Sequence, residues 1–296
     1  MDALTGTASL ESIKLQKTSL FVDFMQRMVR TFSAKLGVGI MVIIILLCLV
    51  GPLFYAYGYN DIDPNAMFCG PSPSHLLGCD SMGRDLLARI MEGGRYSLAL
   101  GIATSVFSTL IAIVIGCFAG YIGGRVEDLI MRFMDVWSTI PAVLLCIIIS
   151  SILGPGFFPT MLALTVGSIP GGVRMVRGQV VAERSKEYIE AAQAINCPKS
   201  VIMFKHLLPN VIQPMIILTT MGIGGTIMMA AALSYIGLGV QPPTPEWGAL
   251  LAAGRSYIRT YPHMITFPGI FIALVVFAIN LLGDGLRTAL DPKLRN

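Results

Sequence analysis

Apolar residues lie along this chain in long blocks, without the alternation of polar and apolar faces that is typical of soluble domains. Five stretches contain no Asp, Glu, Lys or Arg: residues 36–59, 96–124, 136–173, 207–245 and 260–283. A helix needs about 20 apolar residues to cross the hydrocarbon core of a bilayer, and it satisfies its own backbone hydrogen bonds there. The pattern therefore predicts an all-α integral membrane protein.

The five stretches predict six transmembrane helices. Stretch 136–173 is long enough for two helices, and Gly154-Pro155-Gly156 interrupts it where a tight turn would lie. Stretch 207–245 has no such break in its apolar part and predicts one helix. The predicted spans are residues 36–57, 97–121, 136–153, 157–173, 211–236 and 267–286.

The apolar run at 36–57 is longer than the core of a cleaved signal peptide, roughly 7–15 residues, so we expect it to remain as the first span. The six spans would form a transmembrane domain over residues 36–286, with segments 1–35 and 287–296 on either side. Residues 11–30 mix basic and apolar side chains at roughly helical spacing. They would form an interfacial helix or a flexible tail.

Lys and Arg predict the orientation, because short cytoplasmic loops carry an excess of them. With the N-terminus inside, 16 of the 21 basic residues fall in cytoplasmic segments. The exceptions are Arg84, Arg89, Arg95, Arg255 and Arg259. Both termini are therefore predicted to be cytoplasmic.

Composition agrees with this interpretation, since 54% of the residues are hydrophobic and 13% are charged. Soluble domains carry about 25% charged residues, so a soluble enzyme is excluded. The net charge of +4 is explained by the topology, and a nucleic-acid partner is not needed.

The hydrophilic segment between the fourth and fifth predicted spans carries a spaced motif. Its residues are Glu190, Ala191, Ala192, Asn196, Leu208 and Pro209. The spacing resembles the EAA loop of ABC-type importer permeases. That family has Gly at the position of Asn196 and an apolar residue at the position of His206. Asn tolerates the left-handed conformation better than most residues, so we expect helix, bend and short helix here.

Three further segments narrow the resemblance. The run HLLGCDSMGRDLL at 75–87 is similar to a stretch of the dipeptide, oligopeptide and nickel permeases, with Cys79 in place of Thr. QPPTPEWG at 241–248, and LGDGLR with LDP at 282–292, resemble the same group. The match runs from about residue 36 to 296, and within the group the chain resembles the C-type subunit.

The resemblance implies a permease subunit of an ATP-driven importer for di- or oligopeptides in the cytoplasmic (inner) membrane of a prokaryote. It also implies a related B-type permease, two ATP-binding subunits and an extracytoplasmic binding protein as partners. The motif around Glu190 would couple the chain to the ATP-binding subunits. No GxxxxGK[ST] sequence occurs, so we expect no cofactor in this chain, with ATP and Mg in the partner subunits.

Candidate pathway residues are the hydroxyl and amide side chains within the spans. They are Ser105, Ser108, Thr109, Thr219, Thr220, Thr226 and Asn280. They would line a neutral path or, alternatively, bond only to their own or neighbouring helices. The spans carry no charge except Asp284, which argues against an ion-coupled secondary transporter because such carriers need ionisable groups at membrane depth.

The remaining chemistry is sparse. His75, His206 and His263 are scattered over different loops, so no metal cluster or catalytic triad is predicted. Cys69 and Cys79 share an outside loop and would form a disulfide in an oxidising compartment, or remain free thiols. Nickel or a nickel chelate is the alternative cargo. A membrane scaffold without transport is a further alternative.

Overall fold

The computed structural model describes residues 31–290, which are helical apart from loops and one isolated β-bridge between Cys79 and Asp85. The helices are α1 Phe32–Leu49, α2 Gly51–Phe54, α3 Leu86–Ile122, α4 Gly124–Ser138, α5 Ala142–Leu153, α6 Phe157–Arg184, α7 Glu187–Ala194, α8 Lys199–Tyr235, α9 Trp247–Gly254 and α10 His263–Leu290. A π-helical segment, Ile202–Leu207, lies within α8. The helix predicted at 11–30 and residues 291–296 of the predicted tail lie outside the described residues.

Within residues 31–290, four helices, α1, α3, α8 and α10, are long and apolar enough to cross a membrane. Helices α3 and α10 contain the spans predicted at 97–121 and 267–286, and α8 covers 211–236 except for its last residue. The span predicted at 36–57 is divided, because α1 ends at Leu49 and the single turn α2 follows. The Arg95 guanidinium of α3 donates hydrogen bonds to the carbonyl oxygens of Cys48 (2.8 Å) and Leu49 (2.9 Å), and so caps α1.

The bounds predicted for the third span, 136–153, are wrong. Val136 belongs to α4, and residues 139–141 are not helical and separate α4 from α5. Pro141 lacks a backbone N–H and disfavours helical geometry in the residue before it, which favours an interruption of the helix at this point. Helix α5 has 12 residues and is about 18 Å long, too short to span a bilayer alone. Helices α4 and α5 together form a candidate span bent by 78°.

Helix α6 begins at Phe157, contains the fourth predicted span, 157–173, and continues to Arg184. Gly154 and Gly156, with φ of 82° and 152°, form the predicted turn before it. Gly and Pro residues at 167–172 dilute the apolar half of α6, and it is not among the four long apolar helices.

Helix α3 packs closely against α6 through small residues. A Cβ atom added to Gly116 would lie 2.7 Å from Val176 Cβ, and one added to Gly120 would lie 2.9 Å from Val180 Cβ. Such distances leave no room for a side chain, so these two glycines bring the helix backbones together.

The loops fall into two groups at opposite ends of the 37-residue helix α3. At one end, Trp247 Nε1 of α9 donates to the carbonyl oxygen of Ile90 at 2.9 Å. At the other end, Arg184 of α6 donates to the carbonyl oxygen of Tyr121 at 3.1 Å, and the Tyr121 hydroxyl donates to that of Lys199 at 3.0 Å. Loops predicted to lie outside therefore share one end, and loops predicted to lie inside share the other.

Candidate functional site

Helix α7 carries the first half of the spaced motif. A break at residues 185–186 separates it from α6. Ile189 is fully buried and anchors α7 to the bundle. Asn196 has a φ of 55°, which is the left-handed conformation expected at the Gly position of the motif. The predicted bend is therefore present.

The motif residues of α7 are largely accessible at the surface, and Glu190 lines a groove that also includes Glu127 and Arg184. Glu190 and Ala191 are exposed, Ala192 is half-buried, and no ion pair involves Glu190 within residues 31–290. Ile195 and Phe204, beside the motif, are 79% and 69% exposed. Large exposed apolar side chains mark surfaces that contact another protein or the membrane. Sequence reasoning missed Ile195 and Phe204, because neither belongs to the motif.

Tyr188 connects α7 to its neighbours. Its hydroxyl donates to Glu183 Oε1 of α6 at 2.6 Å and accepts a hydrogen bond from Asn210 Nδ2 of α8 at 3.1 Å. Burial and the bond to Glu183 raise the pKa of Tyr188 to about 12. The second half of the motif lies beside this contact, with Leu208 half-buried and Pro209 exposed. A displacement of α7 would therefore alter its hydrogen bonds to both α6 and α8.

A cavity of about 500 Å³ lies between α3, α5, α6 and α8. Five of the seven predicted pathway residues line it: Ser105, Ser108, Thr109, Thr219 and Thr226. Thr220 lines a separate groove on the other side of α8, and Asn280 is exposed and absent from the cavity wall. The sequence therefore predicted most of one polar wall, but it could not tell which face of α8 or α10 turns inward.

The cavity hydroxyls also bond between helices, as the structural alternative predicted. Ser105 Oγ and Thr226 Oγ1 are 3.1 Å apart, and Thr109 Oγ1 and Thr219 Oγ1 are 2.8 Å apart. Among the described residues that line the cavity, none carries a charged side chain. The two interpretations of these residues are thus compatible, since one hydroxyl can face the cavity and bridge two helices.

Sequence reasoning missed the sulfur-containing residues of the wall, Cys146, Met175, Met215 and Met229. Their flexible, polarisable side chains adapt to varied apolar surfaces. Because Met and Cys are common in any apolar helix, composition offered no signal that separates these four from the rest.

The loop 59–85, which we name the outer loop, is held by buried carboxylates. Asp80 accepts hydrogen bonds from Arg84 Nε at 2.8 Å and from the Met82 amide at 2.8 Å. Asp85 caps α3 by accepting from the Ala88 amide at 2.9 Å, and its second oxygen lies 2.9 Å from His75 Nδ1. The motif at 75–87 therefore stabilises the fold at the start of α3.

The second motif on this side, around 241–248, also packs inward. Trp247 is fully buried, and Glu246 accepts a hydrogen bond from Ser97 Oγ at 2.9 Å. The other Glu246 oxygen accepts from the Ala249 amide at 3.1 Å and so caps α9.

Cys69 and Cys79 come together in the outer loop as free thiols. One ring nitrogen of His75 and the two sulfurs lie within 4.8 Å of one another. Burial and the Cys69 thiol raise the pKa of Cys79. The disulfide stays a prediction. The grouping with His75 was not predicted, because it depends on the folding of the loop and not on spacing in the chain.

Two family models match the chain. The model described as binding-protein-dependent transport system inner membrane component matches residues 112–296. The model described as the N-terminal TM domain of oligopeptide transport permease C matches residues 19–71. The two matches cover α1 and everything from the middle of α3 onward.

Individual proteins agree with the family models. The chain is 39% identical over 280 residues to the di/tripeptide transport system permease protein DppC of Pseudomonas aeruginosa, covering 93% of this chain and 92% of that one. It is 36% identical over 286 residues to the oligopeptide transport system permease protein OppC of Haemophilus influenzae, covering 96% and 92%. A solved inward-facing structure of the MetNI methionine ABC transporter aligns with a TM-score of 0.57 at 19% identity, covering 69% of this chain and 97% of that one, which supports a shared fold.

Proposed function

The chain belongs to the family of binding-protein-dependent transport system inner membrane components, and on that premise we propose that it forms one half of the translocation pathway of an ATP-driven importer of di- and oligopeptides. A related B-type permease would supply the other half. The observation that carries the proposal is the relationship to dipeptide and oligopeptide permeases over more than nine-tenths of the chain.

Six membrane crossings are the arrangement that we propose for this half, within the predicted domain 36–286. The crossings are α1, α3, the bent pair α4 and α5, α6, α8 and α10. The grouping of loops at opposite ends of α3 supports this arrangement, because alternate loops of a spanning chain must lie on opposite sides. The excess of basic residues in the inside group supports our proposal that both termini are cytoplasmic.

The uncharged cavity suits a cargo of varied side chains. A wall of hydroxyl groups, glycines and thioethers offers weak contacts to any peptide, so selectivity would come from the extracytoplasmic binding protein. We propose that this protein docks on loops 61–95 and 241–263, where buried carboxylates and Trp247 keep the surface rigid.

Helix α7 is the proposed contact with the ATP-binding subunits. Its exposed carboxylate at Glu190, its small Ala191 and the adjacent apolar Ile195 would fit a groove on such a subunit, with Glu190 paired to a basic residue there. Closure of those subunits on ATP and Mg²⁺ would move α7, and Tyr188 would pass the movement to α6 and α8.

Transport in proteoliposomes tests the proposal. The complex that co-purifies with the chain is reconstituted, and uptake of a labelled dipeptide is measured with the cognate binding protein outside and ATP at the cytoplasmic face. We expect uptake to require both, and to need no ion gradient. Uptake by this chain alone on an ion gradient, or uptake of a nickel chelate but of no peptide, would contradict the proposal.

A further inference from the structure

The grouping of Cys69, His75 and Cys79 has the composition of a metal site. Each residue offers one ligand atom, and these three atoms lie within 4.8 Å of one another. Thiolate and imidazole are the ligands that Zn²⁺ prefers, and two Cys with one His form a known zinc ligand set. In a tetrahedral site with bonds of about 2.0–2.3 Å, the ligand atoms are roughly 3.5–3.8 Å apart. A contraction of about 1 Å would therefore complete the geometry.

The backbone around the two cysteines is folded to bring their side chains together. Each cysteine follows a residue in the left-handed conformation, Phe68 with φ of 57° and Gly78 with φ of 82°. The Cys79 amide donates to the Cys69 carbonyl oxygen at 2.9 Å, and the Phe68 amide donates to that of Asp80 at 3.0 Å. These hydrogen bonds join the two segments of the loop on either side of the sulfur atoms.

Aromatic contacts stabilise Phe68 in its left-handed conformation. Its ring stacks on Tyr261 at a centroid distance of 4.5 Å and meets Tyr257 edge-on at 4.9 Å. A Cβ atom on Gly78 would lie 2.6 Å from the Cys69 carbonyl oxygen, so only Gly fits there. Both turns are therefore fixed by their surroundings.

The imidazole of His75 is held by a carboxylate. Its Nδ1 lies 2.9 Å from Asp85 Oδ2, and the Asp85 side chain is only 1% exposed. Histidines that bind a metal through one ring nitrogen usually donate the other N–H to such a carboxylate, which fixes the tautomer and orients the ring. With its Nδ1–H donated to Asp85, the ring would present Nε2 with a free lone pair, as a metal ligand requires.

We propose that Cys69, His75 and Cys79 bind one divalent transition-metal ion of the zinc class at the outer loop. Binding would replace the two thiol protons, which pass to water, and the ion would take two thiolates and one neutral imidazole. Three protein ligands leave the fourth position to a water molecule, and the partly exposed Cys69 lies on the entry path. This site is separate from the proposed peptide pathway and from α7.

The ion would connect three parts of the structure near the outer loop. The ligands join the two segments of the loop, and Asp85 connects His75 to the first turn of α3. The His263 ring at the start of α10 lies 3.1 Å from the Cys79 carbonyl oxygen. A metal here would therefore hold the loop against both α3 and α10.

A disulfide between Cys69 and Cys79 is the competing outcome. It would join the same two sulfurs, but it would need neither an imidazole nor a buried carboxylate beside them. The presence of His75, with its ring already held by Asp85, favours the metal.

Metal content of the full-length chain, purified with the subunits that accompany it, tests the proposal. The preparation is loaded with Zn²⁺, passed through a desalting column, and analysed by mass spectrometry for zinc per chain. Cobalt(II) provides a second readout, because thiolate coordination gives charge-transfer absorption. The variants are Cys69→Ser, His75→Gln and Cys79→Ser, with Cys197→Ser as the matched control for loss of one cysteine outside the cluster.

We expect about one zinc per wild-type chain and per Cys197→Ser chain, and loss of that zinc in each cluster variant. Zinc should also protect Cys69 and Cys79 from alkylation, and a chelator should restore their labelling. The alkylation result on the wild-type chain is the independent test, because it does not depend on the folding of a variant. Full labelling of both thiols in the presence of zinc, or an intact mass showing a Cys69–Cys79 disulfide before and after zinc loading, would overturn the proposal.

Discussion

The outer loop and α7 are both polar segments, but they use their carboxylates in opposite ways. In the outer loop Asp80 and Asp85 are 5% and 2% exposed, and each accepts hydrogen bonds from the chain around it. In α7 Glu190 is exposed and takes part in no ion pair with residues 31–290. A buried carboxylate must be satisfied within the fold, whereas an exposed one remains available to another protein.

This difference separates two motifs that look equivalent in the sequence. The segment at 75–87 and the segment at 190–209 both resemble motifs of the same permease group. The structure gives the first an internal role at the start of α3, and it leaves Glu190 and Ala191 of the second exposed. Substitutions in the first should therefore affect stability, and substitutions in the second should affect coupling.

The largest loss of stability is expected for Asp85→Ala. This change removes the cap of α3 and leaves His75 Nδ1 and the Tyr55 hydroxyl, 3.2 Å from the carboxylate, without their partner. Loss of a cap and of buried hydrogen bonds should together cost about 2–4 kcal/mol. Unfolding of the complex in detergent measures this, with the exposed Asp128→Ala as control. Equal midpoints for the two variants would contradict the structural role.

Trp247→Phe should have the next largest effect. The substitution removes the bond from Nε1 to the Ile90 carbonyl oxygen and leaves a void in a fully buried site. We expect a cost of roughly 1–3 kcal/mol. Trp137→Phe is the matched control, since that ring is only half-buried. Equal unfolding midpoints for Trp247→Phe and Trp137→Phe would contradict the structural role of Trp247.

A smaller effect is expected from the hydroxyl pair in the cavity. Thr109→Val and Thr219→Val each remove one side of the 2.8 Å contact between α3 and α8. Their coupling in a double-mutant cycle should be about 0.6 kcal/mol, as is usual for hydrogen bonds between membrane helices. The same cycle with Thr220→Val in place of Thr219→Val should give no coupling, and equal values in the two cycles would contradict the contact.

The smallest change in stability is expected at α7. Glu190→Ala alters an exposed side chain, so the free energy of unfolding should stay within about 0.5 kcal/mol of the wild type. Unfolding midpoints of the two proteins, measured side by side, check this. A large destabilisation would mean that Glu190 belongs to the fold, like Asp85, and would remove the contrast between the two regions.

The sequence predicted the helical membrane class and most spans, because long uncharged stretches have few structural alternatives. It failed where one residue decides between two backbone paths. Pro141 breaks the third predicted span, but proline also occurs inside α6, α8 and α10. The length of an apolar stretch therefore does not reveal whether a proline ends a helix.

The candidate sites show the same limit. Spacing in the chain predicted the motif at Glu190 and the bend at Asn196, because both depend on local geometry. The grouping of His75 with Cys69 and Cys79, and the position of Thr220 outside the cavity, depend on tertiary packing. Ile195 and Phe204 were missed because exposure of an apolar side chain is a property of the folded surface.

The central claim is that α7 couples this chain to ATP-binding subunits, and ATP hydrolysis by the reconstituted complex tests it most directly. Hydrolysis is measured with and without the loaded binding protein for the wild type, Glu190→Ala and the Asp128→Ala control. A charged contact at an interface is worth about 2 kcal/mol or more, so stimulation by the binding protein should fall at least about tenfold in Glu190→Ala and persist in the control. Full stimulation in Glu190→Ala would contradict the claim.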